Sequence, residues 1–464
     1  MTDVRTDDEE QGPAAPPGEG ADGGDDAQRS GGDAMASAGR PVGLLRPITL
    51  PLRALANAGA ALRYPNFRLV WSGALLSNIG SWMQNIARDW LVYELSGDEG
   101  KLLLGLNGFV EGVAVALLLP LGGILADRLD RRRVLIGVNV AQALFAATLA
   151  WLAGTGRIEP WHILLMTALN GAGDALRVPS HQSLMPSLVD RGHLTNAVAL
   201  GSLQFNLSRV IGPSVGGWVL LTLGAAWSFG INAVSFGATI LALSLVRVPP
   251  RPKRTAEQAE RERAFGAGVR YIRTRGDLQM MLGVVLMAGL LAAPLVKLLP
   301  AFASEVLHGG EGLFSTLLAC FGGGAMLGAI GLASRSAKGP TPWRAMPMLV
   351  ALGLVQVAAA QWPVVWVAKG LCVAAGALFV GVMVRMNTAV LATAPDALRG
   401  RLSGVHQMAF RTGMPAGALL AGWVAHGMGI GGTLQWSGAG LIGGGIAAMI
   451  WARRVTWHTR PPEA

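Results

Sequence analysis

Gly122-Gly123-Ile124-Leu125-Ala126-Asp127-Arg128-Leu129-Asp130-Arg131-Arg132-Arg133-Val134-Leu135 closes a long apolar run in a burst of charge and then opens a second one. So short a loop between two apolar runs reads as a turn at a membrane surface. Cationic side chains of short loops stay on the cytoplasmic side, so the arginines place this turn in the cytosol.

The composition agrees with a bilayer setting. Of 464 residues, 52% are hydrophobic and only 14% charged, with a mean hydropathy of +0.44. A soluble domain carries about 25% charged residues. In hydrocarbon only helices and closed barrels satisfy the backbone, and apolar runs of about 18–25 residues without strand-like alternation are of helical length. The 64 glycines suit close helix packing in lipid. The net charge of +10 is uneven: ten acids against three arginines give residues 1–40 a net of −7, leaving +17 for the remainder. That excess sits in alternate loops, as membrane orientation requires and a DNA-binding face would not, so no nucleic-acid partner is expected.

Runs and breakers place spans near 67–94, 102–126, 134–153, 161–180, 195–221, 225–247, 278–304, 312–334, 345–361, 364–391, 402–425 and 432–452, twelve in all. Residues 1–62, rich in Gly, Pro, Ala and Asp, lack the parts of a signal peptide and read as a disordered cytoplasmic tail. Residues 63–247 and 277–453 are expected to form two six-helix halves, joined by a charged cytoplasmic linker at 248–276 and followed by a cytoplasmic tail at 454–464. Arg209 and Pro213 of span five recur as Arg411 and Pro415 of span eleven, at a constant offset of 202 residues. Cys320 and Cys372 lie in apolar runs, where a thiol behaves as a small hydrophobe, and no metal-ligand spacing occurs.

Gly-x-Leu-Ala-Asp-Arg-x-x-Arg-Arg resembles the signature loop between the second and third helices of the major facilitator superfamily. The resemblance implies an all-α membrane protein of twelve transmembrane helices in two pseudo-symmetric six-helix bundles, with a central site between them. It also implies a charge latch on the cytoplasmic side, carried here by Gly123, Asp127, Arg128 and Arg131. The plainer alternative is that the arginines only anchor topology, but anchoring has no use for Asp127. Asp130 stands where Gly is usual, so the turn must be made differently. The corresponding loop after span eight, Gly331-Leu332-Ala333-Ser334-Arg335, lacks the acid.

Span five carries Gly212-Pro213-Ser214-Val215-Gly216-Gly217, similar to the antiporter motif of exporters in the superfamily. Its glycines would serve equally in plain helix packing. The segments Ser81 to Val92, Pro179 to Leu184, Leu299 to Ala303 and Ala394 to Arg401 resemble the branch that includes enterobactin and macrolide exporters. The similarity covers roughly residues 63 to 453 and implies class, not cargo.

Charges inside spans mark where mechanism is to be sought, since each costs about 2.5–3.5 kcal/mol at mid-bilayer on insertion scales. Asn78, Ser81, Asn85 and Asp89 form one polar stripe on span one. Asp89 is a candidate proton carrier, because a drying cavity favours the neutral acid and a wet one the carboxylate; static pairing is the alternative. Glu111 with Asn107 on span two is the second acidic candidate. Span four places Asn170, Asp174, Arg177 and His181 on one face, and Asp174 joins the cavity candidates. Arg209 and Arg411 would bind an anionic group on cargo or neutralise the acids when cargo is absent. Lys297 and Lys369 sit toward the outer ends of their spans, Arg385 is a weaker cavity candidate, and His406 and His426 read as packed side chains.

No Gly-x-x-x-x-Gly-Lys-Ser/Thr loop or nucleophile elbow occurs, and Gly438-Ala439-Gly440-Leu441-Ile442-Gly443 lies inside span twelve with no strand before it. No enzymatic activity and no cofactor are expected. The sequence therefore points to a monomeric, multi-pass inner-membrane exporter of a small amphipathic molecule, driven by protons, with both termini cytoplasmic. An uptake transporter and a non-transporting sensor or assembly protein are the alternatives.

Overall fold

Helix boundaries follow from a few local devices. The computed structural model describes residues 59–246, 270–333, 342–395 and 398–455. Helix α1 (Pro65–Leu95) starts with proline in its first turn after an extended Tyr64, and α4 (Pro160–Leu184) starts the same way behind a Glu159–His162 capping box. Between α2 (Gly100–Arg128) and α3 (Arg131–Gly154), Leu129 and Asp130 are extended, and the Asp130 carboxylate accepts from the Arg132 and Arg133 amides at 2.8 and 3.3 Å. The departure from glycine is thus resolved: Asp130 turns the chain by capping α3. Gly224, at φ 86°, separates α5 (Leu194–Leu223) from α6 (Ala225–Leu245). Gly429, at φ 73°, divides Arg399–Ala452 into α11 (399–428) and α12 (430–452). An L side chain is strained at both positions.

The remaining helices are α7 (Gly276–Lys297), prolonged by a short helix and a π-turn at Phe302–Val306, α8 (Glu311–Ala333), α9 (Ala345–Gln361) and α10 (Val365–Thr393). The described residues thus hold twelve long helices. Seven are long and apolar enough to cross a membrane on composition alone. The other five include α1, α4, α5 and α11, which carry Arg88 and Asp89, Asp174 and Arg177, Arg209, and Arg411. The expected spans match these helices to within a few residues. The largest difference is at α7, which ends at Lys297 and covers the rest of its expected span, to 304, only through the short helix and π-turn that follow; α4 runs through Pro179 to Leu184 rather than ending near residue 180.

The twelve helices pair in two equivalent patterns. In the first six, α1 packs on α5 and α6, α2 on α4, and α3 on α4 and α6; in the last six, α7 packs on the α11–α12 pair, α8 on α10, and α9 on α10 and the same pair. Lipid offers no hydrophobic drive for association, so backbone proximity must supply it. At Gly122 a Cβ would fall on the Ala175 carbonyl, and Gly324, 202 residues later, meets the Val373 carbonyl in the same way.

The halves meet through α2 with α11 and α5 with α8. Gly105 lies against Ala418 and Gly422, Gly108 against Ala418, and Gly112 against the Pro415 ring. On the other side Gly217 meets Ser315, Gly312 meets Leu221, and Gly322 meets the Arg209 carbonyl. One end of the molecule, the basic face, carries Arg131, Arg132, Arg133, Arg275 and Arg453; the opposite, acidic face carries Asp98, Glu99, Glu159, Glu305 and Glu311. All the approaches just named lie between mid-helix and the acidic face. Residues 1–58, 247–269, 334–341 and 456–464, and with them most of the expected tails, most of the linker and the loop after α8, are outside the described residues.

Candidate functional site

Four charges from three helices converge where the halves meet. Arg88 of α1, whose side chain is 5% exposed, donates from Nη2 to Glu111 Oε2 of α2 at 3.0 Å and lies 3.4 Å through Nε from Asp89 Oδ1. Asn107 Nδ2 donates to the same Asp89 oxygen at 2.9 Å. From the other half, Lys297 Nζ reaches Asp89 Oδ2 at 3.6 Å and Glu111 Oε2 at 3.9 Å. Two carboxylates and two cations therefore balance inside a bilayer-spanning bundle, where an isolated charge would be costly. Chain spacing explains half of the arrangement: Asn107 and Glu111 are one turn apart on α2 and face α1 together. Lys297 joins because it stands at the C-terminal end of α7, just before the chain turns at Leu298.

Further toward the acidic face the contact continues. Lys101 Nζ is 3.0 Å from Glu305 Oε2, Tyr93 donates to Glu305 Oε1 at 3.0 Å, and the Trp90 and Phe314 rings stack at 6.3 Å. The π-turn at Phe302–Val306 carries Glu305 into this contact. Lys101 and Glu305 are partly exposed, and such pairs contribute at most about 1 kcal/mol. Lys297, about as exposed as Lys101, differs in reaching two carboxylates rather than one.

The other residues singled out in the sequence fall in separate places. Asn85 lies with Asn78, Ser81 and Asp89 on a partly exposed stripe of α1. Asp174 is not part of the four-charge group: it accepts from Gln142 of α3 at 3.0 Å and from Arg177 at 2.9 Å. Arg209 has its guanidinium carbon 5.9 Å from the Trp82 ring and 5.2 Å from the Phe321 ring. Arg411 has no hydrogen bond or ion pair among the described residues. In the α5 motif, Gly212 and Gly216 admit Trp82 and Met83 of α1, Gly217 reaches α8, and Pro213 is buried within the helix.

On the basic face, Arg131 Nη1 donates to the Ser183 carbonyl at 2.9 Å, and Arg132 donates to the Leu243 and Ser244 carbonyls at 2.6 Å each. These carbonyls end α4 and α6, where cations are favourable. Nearby, Tyr64 donates to Asp190 Oδ2 at 2.6 Å, and that bond raises the phenol above its ordinary pKa. The Asp127 and Arg128 side chains and the packing at Gly123 are outside the described residues.

Residues 56–459 match the family model described as transmembrane secretion effector. The chain belongs to that family. A multidrug efflux pump, Tap, of Mycobacterium tuberculosis is 26% identical over 78% of this chain and 87% of its own length. The enterobactin exporter EntS of Citrobacter koseri is 26% identical over 88% of this chain and 97% of its own. Among solved structures, an inward-facing bacterial homologue of the lysosomal transporter Spinster superposes with a TM-score of 0.66 at 15% identity, covering 87% of this chain and 99% of that one. A D-xylose-proton symporter superposes at 0.63 and 14% identity, over 89% of this chain and all of that one. The fold is that of the major facilitator transporters, as the loop motif implied. This family member is accordingly a multi-pass membrane transporter of small molecules.

Two members of the four-charge group went unassigned in the sequence. Arg88 was visible only as part of a family segment, and Lys297 only as a lysine near a span end. Arg88 adjoining an acid inside a span was the available signal. For Lys297 there was none, because its partners are some 200 residues away in the other half.

Proposed function

We propose that this protein exports a small amphipathic molecule by alternating access in exchange for protons, as a monomer in the cytoplasmic membrane with both termini in the cytosol. The basic face is then cytoplasmic. The conformation described, tied together toward the acidic face, is closed to the outside. The export direction is supported by the activities named for the two relatives and by Gly212-Pro213 with Gly216-Gly217 on α5.

The observation that carries the proton step is Lys297, a cation of one half lying within 4 Å of both acids of the other. When the acidic face opens, the halves separate there and Lys297 withdraws. Asp89 and Glu111 then face the outside with Arg88 as their one remaining cation, and a proton from outside replaces the lost charge. Closing the outer side returns Lys297 to the carboxylates, and the proton leaves toward the cytosol. Proton and lysine compete for the same oxygens, so protons move inward as cargo, loaded from the basic face, moves outward. Arg88, buried and bound to both acids, holds them in place throughout.

Everted proteoliposomes with an acid interior, given ethidium or enterobactin as probe, test this reading. The wild type should accumulate probe and release lumenal protons. Asp89→Asn with Glu111→Gln should abolish pH-driven accumulation while leaving downhill equilibration. Undiminished accumulation by the double variant would remove these acids from the mechanism.

A further inference from the structure

Each acid of the central helices discussed so far has a cation: Asp89 and Glu111 share Arg88 and Lys297, and Asp174 holds Arg177. The acids therefore do not need Arg209 or Arg411, and these two arginines have no carboxylate partner among the described residues. A guanidinium inside a membrane bundle is expensive to leave uncompensated. Their placement is also matched. Arg209 stands one turn before Pro213 and Arg411 one turn before Pro415, at the 202-residue offset.

Both lie on the boundary between the halves. Pro415, Ala418 and Gly422 form the stripe of α11 that touches α2, and Arg411 continues that stripe one turn toward the basic face, past the last of those contacts. The Arg209 carbonyl touches Gly322 of α8, while its guanidinium lies by Trp82 of α1 and Phe321 of α8. A ring offers no hydrogen-bond acceptor in its plane, so these contacts leave the Arg209 N–H groups, the groups that recognise planar oxyanions, without acceptors among the described residues.

We infer that Arg209 and Arg411 form the anion subsite of the cargo pocket, one arginine from each half, and that cargo carries a delocalised oxyanion such as a carboxylate or sulfonate beside an aromatic body. This rests on the transport reading above and specifies its substrate class. Trp82 and Phe321 offer aromatic surface for the apolar part of the cargo.

The test uses full-length protein in nanodiscs and two probes with one ring system, 5-dimethylaminonaphthalene-1-sulfonate and the neutral sulfonamide. The sulfonate should bind about tenfold more tightly, and that preference should disappear in Arg209→Gln and in Arg411→Gln while sulfonamide affinity holds. Should Arg209→Gln fail to fold, Arg411→Gln, at a side chain with no described bond to lose, carries the test alone. Equal affinities in the wild type, or a preference that survives substitution, overturns the inference. In pH-driven proteoliposomes, pumping of both probes without charge preference overturns the anion subsite and leaves export standing. Arginine-dependent binding of the sulfonate without pumping of either probe supports the subsite and overturns export.

Discussion

Arg88 adjoins Asp89 in the chain, yet its shortest contact is Glu111 on the next helix, at 3.0 Å against 3.4 Å. Removing one partner of a buried ion group leaves the others uncompensated, at a cost of about 3–5 kcal/mol. Arg88→Met should therefore lower the melting temperature of the purified protein sharply. Adding Glu111→Gln should recover part of the loss, because it removes a carboxylate that the first change stranded. Equal melting of Arg88→Met and wild type would deny Arg88 its holding role. Lys101 gives the contrast: its pair with Glu305 is partly exposed, so Lys101→Ala should cost at most about 1 kcal/mol and leave transport measurable in the same vesicles. The individual charges were legible in the sequence, but their partners were not. An acid inside a span announces that some cation is near, and a linear chain does not say which helix brings it.

Among the elements, α2 carries the most distinct duties. One stripe, Gly105, Gly108 and Gly112, lies on α11, while Gly122 lies on α4 of the same half. A Cβ at Gly112 would overlap the Pro415 ring, so Gly112→Val should wedge the halves apart toward the acidic face. The expected result is faster labelling of a cysteine placed at Ser315 by a membrane-impermeant thiol reagent from outside; unchanged labelling would show that the contact does not hold that side shut. On the basic face, Arg132→Ala removes two bonds to the carbonyls that end α6 and should cost about 1–3 kcal/mol, read as a lower melting temperature with transport retained in the cold. Helix positions were readable because lipid demands long apolar runs, and a gap in the apolar pattern near residues 425–432 marked the break that Gly429 makes. Asp130 shows the limit: the sequence signalled an unusual turn, but its capping role needed the positions of two amides.

For the whole molecule, the repeat seen in Arg209, Pro213, Arg411 and Pro415 extends to the packing, since α2 on α11 and α5 on α8 are the same contact with the halves exchanged. A transporter built this way can close one side by bringing the halves together there and must part them to open it. In the export cycle proposed above, the four-charge group would couple that motion to protons, because its members come from both halves. Deleting residues 1–58 should leave pH-driven export unchanged, and a loss of export would favour recruitment of a partner by the acidic tail. The central claim is that protons and Lys297 compete for Asp89 and Glu111. Its most direct test is the distance, by pulsed electron resonance, between spin labels at Thr155→Cys and Trp362→Cys on the acidic face, with Cys320 and Cys372 changed to serine. Acidification should shift the population to longer distances, and Asp89→Asn with Glu111→Gln should remove that pH dependence, favouring the long distance throughout without abolishing the short one. Distances that ignore both pH and the double substitution would contradict the account.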